Sequence, residues 1–162
     1  RDSSVTGVQT CALPIWMMTY ESLADGGFAT GSMMGSGGFI VLDEDQCVVR
    51  HTLTLARFYR HESCGQCSPC REGTGWMEKI LHNIEYGKGK RSDIDLLWDI
   101  QRKIEGNTIC PLGDAAAWPV AAAIRHFRDE FEWHVDHPTE SQVRNYGLAG
   151  YADARPTAAN PA

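Results

Sequence analysis

The chain has 162 residues, of which 22% are charged, and its formal net charge at pH 7 is −6. This length suits about one domain of ordinary size. Because no basic stripe is present, the sequence predicts no nucleic-acid partner. No apolar run approaches the roughly 18 residues that a membrane-spanning helix requires, so the sequence also predicts no direct membrane insertion.

Residues 1–15 differ in character from the rest of the chain. They show no hydrophobic period and no charge pattern of a signal peptide, and residues 5–15 back-translate into a common short-read sequencing adapter. We therefore expect residues 1–15 to be translated adapter read-through without a structural element. On this expectation Cys11 is not native, and the chain is a fragment of a longer protein. The alternative is a genuine N-terminal tail.

Residues 16–45 are predicted to form the end of a small α+β unit. Residues 20–24 have the pattern of a short helix, and residues 39–42 that of a short apolar strand. The glycines between them match neither the phosphate-loop spacing nor the dinucleotide-binding spacing. They therefore indicate turns rather than a nucleotide site.

From residue 46 to residue 137 the hydrophobic period becomes helical, and we predict a small four-helix bundle. The first helix begins after Gln46, the second opens at Cys70, and the third follows an N-cap at Ser92 with Asp95 in capping-box position. The inward-facing side chains predicted for these helices are Val48, Leu53, Leu55, Ala56, Tyr59, Trp76, Met77, Ile80, Leu81, Ile84, Ile94, Leu97, Ile100 and Ile104.

The last part of the bundle is predicted in two pieces. Asp114 is expected to cap a short helix through Ala117, and Pro119 to occupy the first turn of the final helix. The predicted inner face of that helix comprises Val120, Ala123, Ile124 and Phe127. Periodicity is lost after His137, so residues 138–162 are predicted to be a flexible tail.

Three cysteines, Cys64, Cys67 and Cys70, stand at C-x2-C-x2-C spacing, and Cys110 precedes a proline further along the chain. The spacing brings three sulfurs to one side of a tight loop, and a distant fourth sulfur closes the site. A [4Fe–4S] cluster is held in this way. Structural zinc sites favour paired ligands, disulfides need an oxidising compartment, and four unrelated buried thiols would not explain the triplet. The spacing favours the cluster, with zinc as the main alternative.

Three further residues near these cysteines carry expectations of their own. Cys47 is expected to be a small buried apolar residue, and His61 to face solvent or to support a ligand. Arg71 is the nearest fixed positive charge, so we hypothesise that it raises the reduction potential of a bound cluster. The alternative for Arg71 is an ordinary ion pair with Glu72 or Glu62.

Two motifs together resemble a known family. They are S-C-G-Q-C-S-P-C-R-E-G at residues 63–73 and C-P-L-G-D-A-A-A-W-P at residues 110–119. They resemble the C-terminal part of the NADH-oxidising flavoprotein subunit of respiratory complex I, which is the F-subunit family of NADH-quinone oxidoreductase. The resemblance spans roughly residues 18–133.

The resemblance implies a fold and a set of ligands. Residues 16–45 would be the remnant of a ubiquitin-like β-grasp domain, and residues 46–137 a mainly α bundle that holds a [4Fe–4S] cluster. The implied ligands are Cys64, Cys67, Cys70 and Cys110. The family's FMN and NADH sites lie upstream, so the resemblance implies no catalytic residue and no flavin or NADH contact in this chain.

The resemblance also implies a function. The cluster would pass electrons from FMN within an NADH:quinone oxidoreductase, and the fragment alone would be inactive. Its partners would be peripheral-arm subunits, especially the adjacent small [2Fe–2S] subunit and the large iron–sulfur subunit, in the cytoplasm beside the inner membrane. A diaphorase subunit of a soluble NAD-linked hydrogenase or formate dehydrogenase is an alternative. A zinc-stabilised interaction module is a more remote one.

Overall fold

Four helices form most of what the computed structural model describes, which comprises residues 8–10, 39–42 and 46–138. The helices are α1 (Val48–Glu62), α2 (Ser68–Glu85), α3 (Arg91–Ile104) and α4 (Leu112–Asp136), and the strands are β1 (Val8–Thr10) and β2 (Phe39–Val41). The prediction of a mainly α fold built on four helices is confirmed. None of the helices in these residues is long and apolar enough to cross a membrane.

The two short strands form an antiparallel pair in which Gln9 lies opposite Ile40. β2 confirms the predicted strand, which ends one residue earlier than expected. The expectation that residues 1–15 carry no structural element is wrong at residues 8–10, where β-branched Val8 and Thr10 favour extended backbone. The helix predicted at residues 20–24 and the glycine loop lie outside the described residues. The origin of residues 1–15 stays a prediction.

The helices pack in a ring around one hydrophobic core. α1 contacts α2, α2 contacts α3, α3 contacts α4, and α4 returns to contact α1. The connections at residues 63–67, 86–90 and 105–111 are short, which makes consecutive helices antiparallel neighbours. Full burial of each core side chain stabilises the fold by about 1.5–3 kcal/mol. The most deeply buried core residues include Leu53, Met77, Leu81, Ile84, Ile94, Leu97, Ile104 and Phe131.

The predicted core is correct at most positions, with one clear error in α2. Leu55, Ile80 and Phe127 pack at the edge of the core, whereas Trp76 is 54% exposed. Trp76 lies with Leu96 along an apolar groove between α2 and α3. The reason is geometric: each step of four residues turns about 40° further around a helix, so a row of such steps leaves the buried face.

The predicted start of α3 is also wrong. Lys90 rather than Ser92 is the N-cap, and the Asp93 carboxylate accepts a hydrogen bond from the Lys90 backbone N–H at 2.9 Å. Asp93 therefore fills the position three residues after the cap, which the sequence pattern assigns to Asp95. The Asp95 carboxylate instead accepts a hydrogen bond from Arg128 Nη2 at 2.8 Å and ties α3 to α4.

The final helix begins earlier than predicted and continues through its proline. α4 contains Pro119 in its interior, and its backbone departs from helical angles only at Phe127, where φ is −135° and ψ is 33°. A proline inside a helix costs about 3 kcal/mol. Burial of the small side chains around it, such as Ala116 and Ala117, outweighs this local signal. The prediction of two helices separated at Pro119 is therefore wrong.

Gly73 is the position in α2 where we predict that a side chain is tolerated least. A Cβ at Gly73 would lie 2.6 Å from Cδ1 and 2.7 Å from Cγ1 of Ile104, which is itself 1% exposed. Gly73→Ala should therefore lower the free energy of unfolding by about 1–3 kcal/mol, because the packed core resists extra volume. Chemical denaturation of the 162-residue chain measures this change.

Gly75 offers a matched control in the same helix. A Cβ at Gly75 would make an ordinary contact of 3.7 Å with Arg60 Nε. Replacing a glycine in a helix interior by alanine favours the helix by about 1 kcal/mol, so Gly75→Ala should stabilise the chain. Equal unfolding free energies for the two variants would contradict the close approach of α3 to Gly73.

Candidate metal centre

The first three cysteines lie where α1 gives way to α2. α1 ends at Glu62, and the turn that follows contains Gly65, whose φ of +80° lies in the left-handed region that glycine adopts without strain. Cys67 is the N-cap of α2, and Cys70 lies in its first turn. Pro69 in the same turn costs little, because the first amides of a helix have no partner within it.

The fourth cysteine lies in the connection between α3 and α4. Two side chains of α4 hold this connection in place. Asp114 Oδ1 accepts a hydrogen bond from the Gly106 N–H at 2.7 Å, and Trp118 Nε1–H donates to Glu105 Oε1 at 2.7 Å. The prediction that Asp114 caps the helix is wrong, because Pro111 occupies the N-cap position. Asp114 instead joins the start of α4 to the end of α3.

All four predicted site residues line one cavity of about 120 Å³ at this end of the bundle. The two connections also contact each other, since the Ile109 N–H donates to Cys67 Sγ at 3.4 Å. Cys70 is buried, Cys67 is half-buried, and Cys64 and Cys110 are exposed. The fold thus gathers the triplet and the distant cysteine around a common space.

The cavity has the donors and the room for a centre of several atoms. About 10–15 Å³ is enough for one water molecule, so 120 Å³ holds a larger group. Four thiol sulfurs are the donor set of a [4Fe–4S] cluster. The residues therefore fit that cluster in donor type, number and space.

The surroundings of the cavity favour negative charge. α2 and α4 both begin there, and a helix N-terminus carries a partial positive charge of about +0.5. Ser63 Oγ lies 3.2 Å from Cys70 Sγ, within hydrogen-bonding distance. The two helix N-termini would favour a negatively charged group bound in the cavity.

A model of the family described as the NADH-ubiquinone oxidoreductase-F iron-sulfur binding region matches residues 50–134. The chain belongs to this family. The matched residues run from α1 to the last turns of α4 and include all four cysteines of the cavity. The helical bundle is thus the iron–sulfur binding region of the family.

Curated relatives are similar over the same part of the chain. The F subunit of NADH-quinone oxidoreductase from Rickettsia typhi is 45% identical over 132 residues, and an F subunit of the same enzyme from Rhizobium meliloti is 42% identical over 139 residues. These alignments cover 82% and 86% of this chain but only 28% and 31% of the relatives. The chain therefore spans less than a third of the length of these relatives.

Solved structures include similar bundles in a different enzyme. A NAD⁺-reducing [NiFe]-hydrogenase in the H₂-reduced state matches with a TM-score of 0.70 and 30% identity, covering 82% of this chain and 24% of that one. The air-oxidised state of a NAD⁺-reducing [NiFe]-hydrogenase matches with a TM-score of 0.70 and 26% identity, over 93% and 28% of the two chains. The bundle therefore does not by itself separate a quinone-linked enzyme from a hydrogenase.

Two residues that position Cys110 are not predicted by the sequence patterns. The Thr108 hydroxyl donates to the Cys110 carbonyl oxygen at 2.9 Å, and a Cβ on Gly113 would overlap the Thr108 side chain. Gly113 lies in the first turn of α4, where glycine disfavours a helix. A glycine at this unfavourable position indicates that another element packs closely against it. The contact between Gly113 and Thr108 could therefore have been predicted from the sequence.

The two other predictions near the cysteines have different outcomes. His61 faces solvent as expected, with its side chain 86% exposed beside Glu62. Cys47 packs against the core as a partly buried residue, so that expectation is met in part. Cys47 is half-buried at the N-cap of α1, its Sγ accepts a hydrogen bond from the Arg50 N–H, and His134 lies beside it. No local pattern indicates this contact, because His134 is in another helix.

Arg71 is anchored to the turn that carries the cysteines. Its Nη1–H donates to the Gly65 carbonyl oxygen at 2.9 Å, and its Nε–H donates to Glu72 Oε1 at 2.9 Å. The alternative interpretation of Arg71, an ion pair with Glu72, is therefore present. Both side chains are about half exposed, so Glu72 and solvent offset much of the charge of Arg71.

We predict that Arg71→Leu lowers the midpoint potential of the reconstituted chain. The substitution leaves Glu72 as a negative charge near the site, which disfavours the more negative reduced state. Because the pair is exposed, the shift should stay below about 59 mV, which corresponds to a tenfold change in a one-electron equilibrium. A redox titration followed by EPR measures the shift.

Arg71→Lys keeps the charge but loses the planar fork that joins Gly65 to Glu72. This control should retain the wild-type potential. A shift of the same size in both variants would assign the effect to the shape of the turn, and an unchanged potential in Arg71→Leu would contradict the charge argument.

Proposed function

We propose that Cys64, Cys67, Cys70 and Cys110 bind a [4Fe–4S] cluster and that this chain transfers electrons within an NADH-oxidising subunit of NADH-quinone oxidoreductase. One observation carries the proposal: four cysteines from two connections line a single cavity in a member of an iron–sulfur binding family. Bound there, such a cluster would accept and release one electron at a time.

The residues around the cavity would anchor the cluster and control access to it. Cys70 is buried against the bundle, whereas Cys64 and Cys110 are exposed. The inner side is therefore closed by protein, and the outer side is open to an electron donor or acceptor. The N-terminal amides of α2 and α4 would stabilise the negative charge of the site.

The proposal extends to the complete protein, because this chain covers less than a third of the length of its relatives. The complete subunit would oxidise NADH with FMN as NADH:quinone oxidoreductase, at a site outside residues 16–162. This chain alone would then be inactive towards NADH. The proposed partners are a small [2Fe–2S] subunit and a large iron–sulfur subunit, in a peripheral assembly on the cytoplasmic side of the inner membrane.

A second candidate keeps the cluster but changes the enzyme. The match to a NAD⁺-reducing [NiFe]-hydrogenase favours a diaphorase subunit of a soluble NAD-linked hydrogenase, or of a formate dehydrogenase, as the alternative. The genes beside the one that encodes this chain would distinguish the two. Genes for membrane-embedded quinone-reducing subunits support the first candidate, and genes for a hydrogenase large subunit support the second.

The cluster itself is tested by anaerobic reconstitution of the 162-residue chain with iron and sulfide. We expect about four irons and four sulfides per chain and an EPR signal in the reduced sample. Cys110→Ser should lose this signal, because it removes the ligand that the second connection contributes. Iron analysis, sulfide analysis and low-temperature EPR measure the outcome.

Cys47→Ser is the matched control, since Cys47 lies outside the cavity. It should leave the iron and sulfide contents unchanged. Zinc bound by the four cysteines without sulfide, together with failure to form a cluster, would sink the proposal and favour a zinc-stabilised module. Loss of the cluster in Cys47→Ser but not in Cys110→Ser would show that the ligand assignment is wrong.

Removal of iron should destabilise the bundle. The cluster would join the turn before α2 to the connection before α4, and so close the loop between Cys70 and Cys110. Without the cluster, closing a loop of this length costs about 3 kcal/mol plus a constant. We therefore expect a lower melting temperature after iron is removed. Thermal melts followed by circular dichroism at equal protein concentration check this. Equal melting temperatures with and without iron would contradict it.

A further inference from the structure

A second group of metal-ligating side chains lies at the opposite end of the bundle from the cysteine cavity. Cys47 is the N-cap of α1, Glu85 is the last residue of α2, and His134 lies in the last turn of α4. One potential ligand atom from each residue lies within 4.8 Å of the other two. α2 has 18 residues, so at about 1.5 Å per residue roughly 27 Å separates this group from the cavity.

The distances between these atoms suit a single ion. Cys47 Sγ lies 3.2 Å from His134 Nε2 and 3.8 Å from Glu85 Oε2, whereas the other ring nitrogen, His134 Nδ1, lies 3.8 Å from Glu85 Oε2. Only one of the two ring nitrogens can bind the ion, and one atom from each residue lies within 4.8 Å of the others. Zinc bonds of about 2.0–2.3 Å at tetrahedral angles separate neighbouring ligand atoms by about 3.5 Å. Small side-chain rotations would therefore bring a sulfur, a nitrogen and an oxygen onto one zinc ion.

Burial makes a cation favourable at this place. The side chains of Glu85 and His134 are 4% and 1% exposed. A thiolate from Cys47 and a carboxylate from Glu85 would together place two negative charges in a largely dry site, and buried charge is costly unless it is compensated. A divalent cation compensates both charges and leaves the imidazole neutral, as ligation requires.

The surrounding backbone holds the group in position. The Arg50 N–H donates to Cys47 Sγ at 3.4 Å and holds the sulfur at the start of α1. The Val48 N–H donates to Glu130 Oε1 at 3.0 Å, which holds the start of α1 against α4 one turn before His134. Cys47 and His134 are thus kept together by a contact that does not use either side chain.

We propose that Cys47, Glu85 and His134 form a second metal site, for a transition-metal dication such as Zn²⁺, that fastens the start of α1 to the ends of α2 and α4. Thiolate and imidazole ligands favour zinc over magnesium or calcium. Cys47 is half-buried, so water can reach the fourth coordination position from its side. Zinc binding releases the thiol proton of Cys47 to solvent.

The experiment uses the 162-residue chain after cluster reconstitution, so that iron occupies the four cysteines of the cavity. The chain is dialysed against Zn²⁺ and desalted, and zinc and iron are counted separately in each sample. Zinc-edge X-ray absorption then reports the atoms around the zinc. We expect one zinc per chain with one sulfur neighbour at about 2.3 Å and the remaining neighbours nitrogen or oxygen.

Three variants test the assignment. Cys47→Ser and Glu85→Gln, which keep the size of the side chains, should each weaken zinc binding at least tenfold without changing the iron content. His82→Gln is the control, because His82 is half-buried and stacks on Tyr86 outside the group. It should bind zinc as the wild type does. Circular dichroism of every variant shows whether its helices are intact.

The competing outcomes are distinct. No retained zinc in the wild type, zinc with four sulfur neighbours, or equal binding in Cys47→Ser, Glu85→Gln and wild type overturns the second site. The iron content is measured in the same samples, so failure of the zinc site is distinguishable from failure of the cluster. If Glu85→Gln loses its helices, Cys47→Ser at the partly exposed position decides the result.

Discussion

Antiparallel packing of four consecutive helices is the constraint on which both ends of this molecule depend. It puts the connection before α2 and the connection before α4 at one end, although the cysteines that they carry are far apart in sequence. The hydrogen bond from Gly106 to Asp114 then fixes the path of the second connection beside the first. If consecutive helices were not antiparallel, the two connections would lie at different ends of the bundle, and the triplet and Cys110 could not share a cavity.

The same arrangement shapes the surroundings of the four cysteines. Helices α2 and α4 both begin at the cavity that the sulfurs line, while buried Cys70 and exposed Cys64 separate an inner face from an outer face. Electrostatic support comes mostly from backbone, which a substitution cannot readily remove. Arg71 also holds the turn through the Gly65 carbonyl, and Glu72 offsets part of its charge. The protein thus supplies shape and fixed dipoles, and a single side chain contributes little.

The structure could be predicted from the sequence where a single local pattern determines it. The helical period located Ile94, Leu97 and Ile104, and the cysteine spacing located the cavity. Prediction failed where packing opposes the local signal, as at Pro119, where buried alanines keep the helix intact. It also failed where partners come from distant segments, since a lone Cys47 gives no indication of Glu85 and His134. Such contacts depend on tertiary packing, and no short window of sequence contains them.

The bundle is also asymmetric in where its polypeptide enters and leaves. α1 starts and α4 finishes at the end opposite the cysteines, so both covalent attachments of residues 46–138 lie on that side. The helices extend about 20 Å or more between the two ends. The segments that flank residues 46–138 are therefore joined to the bundle at the end opposite the four cysteines.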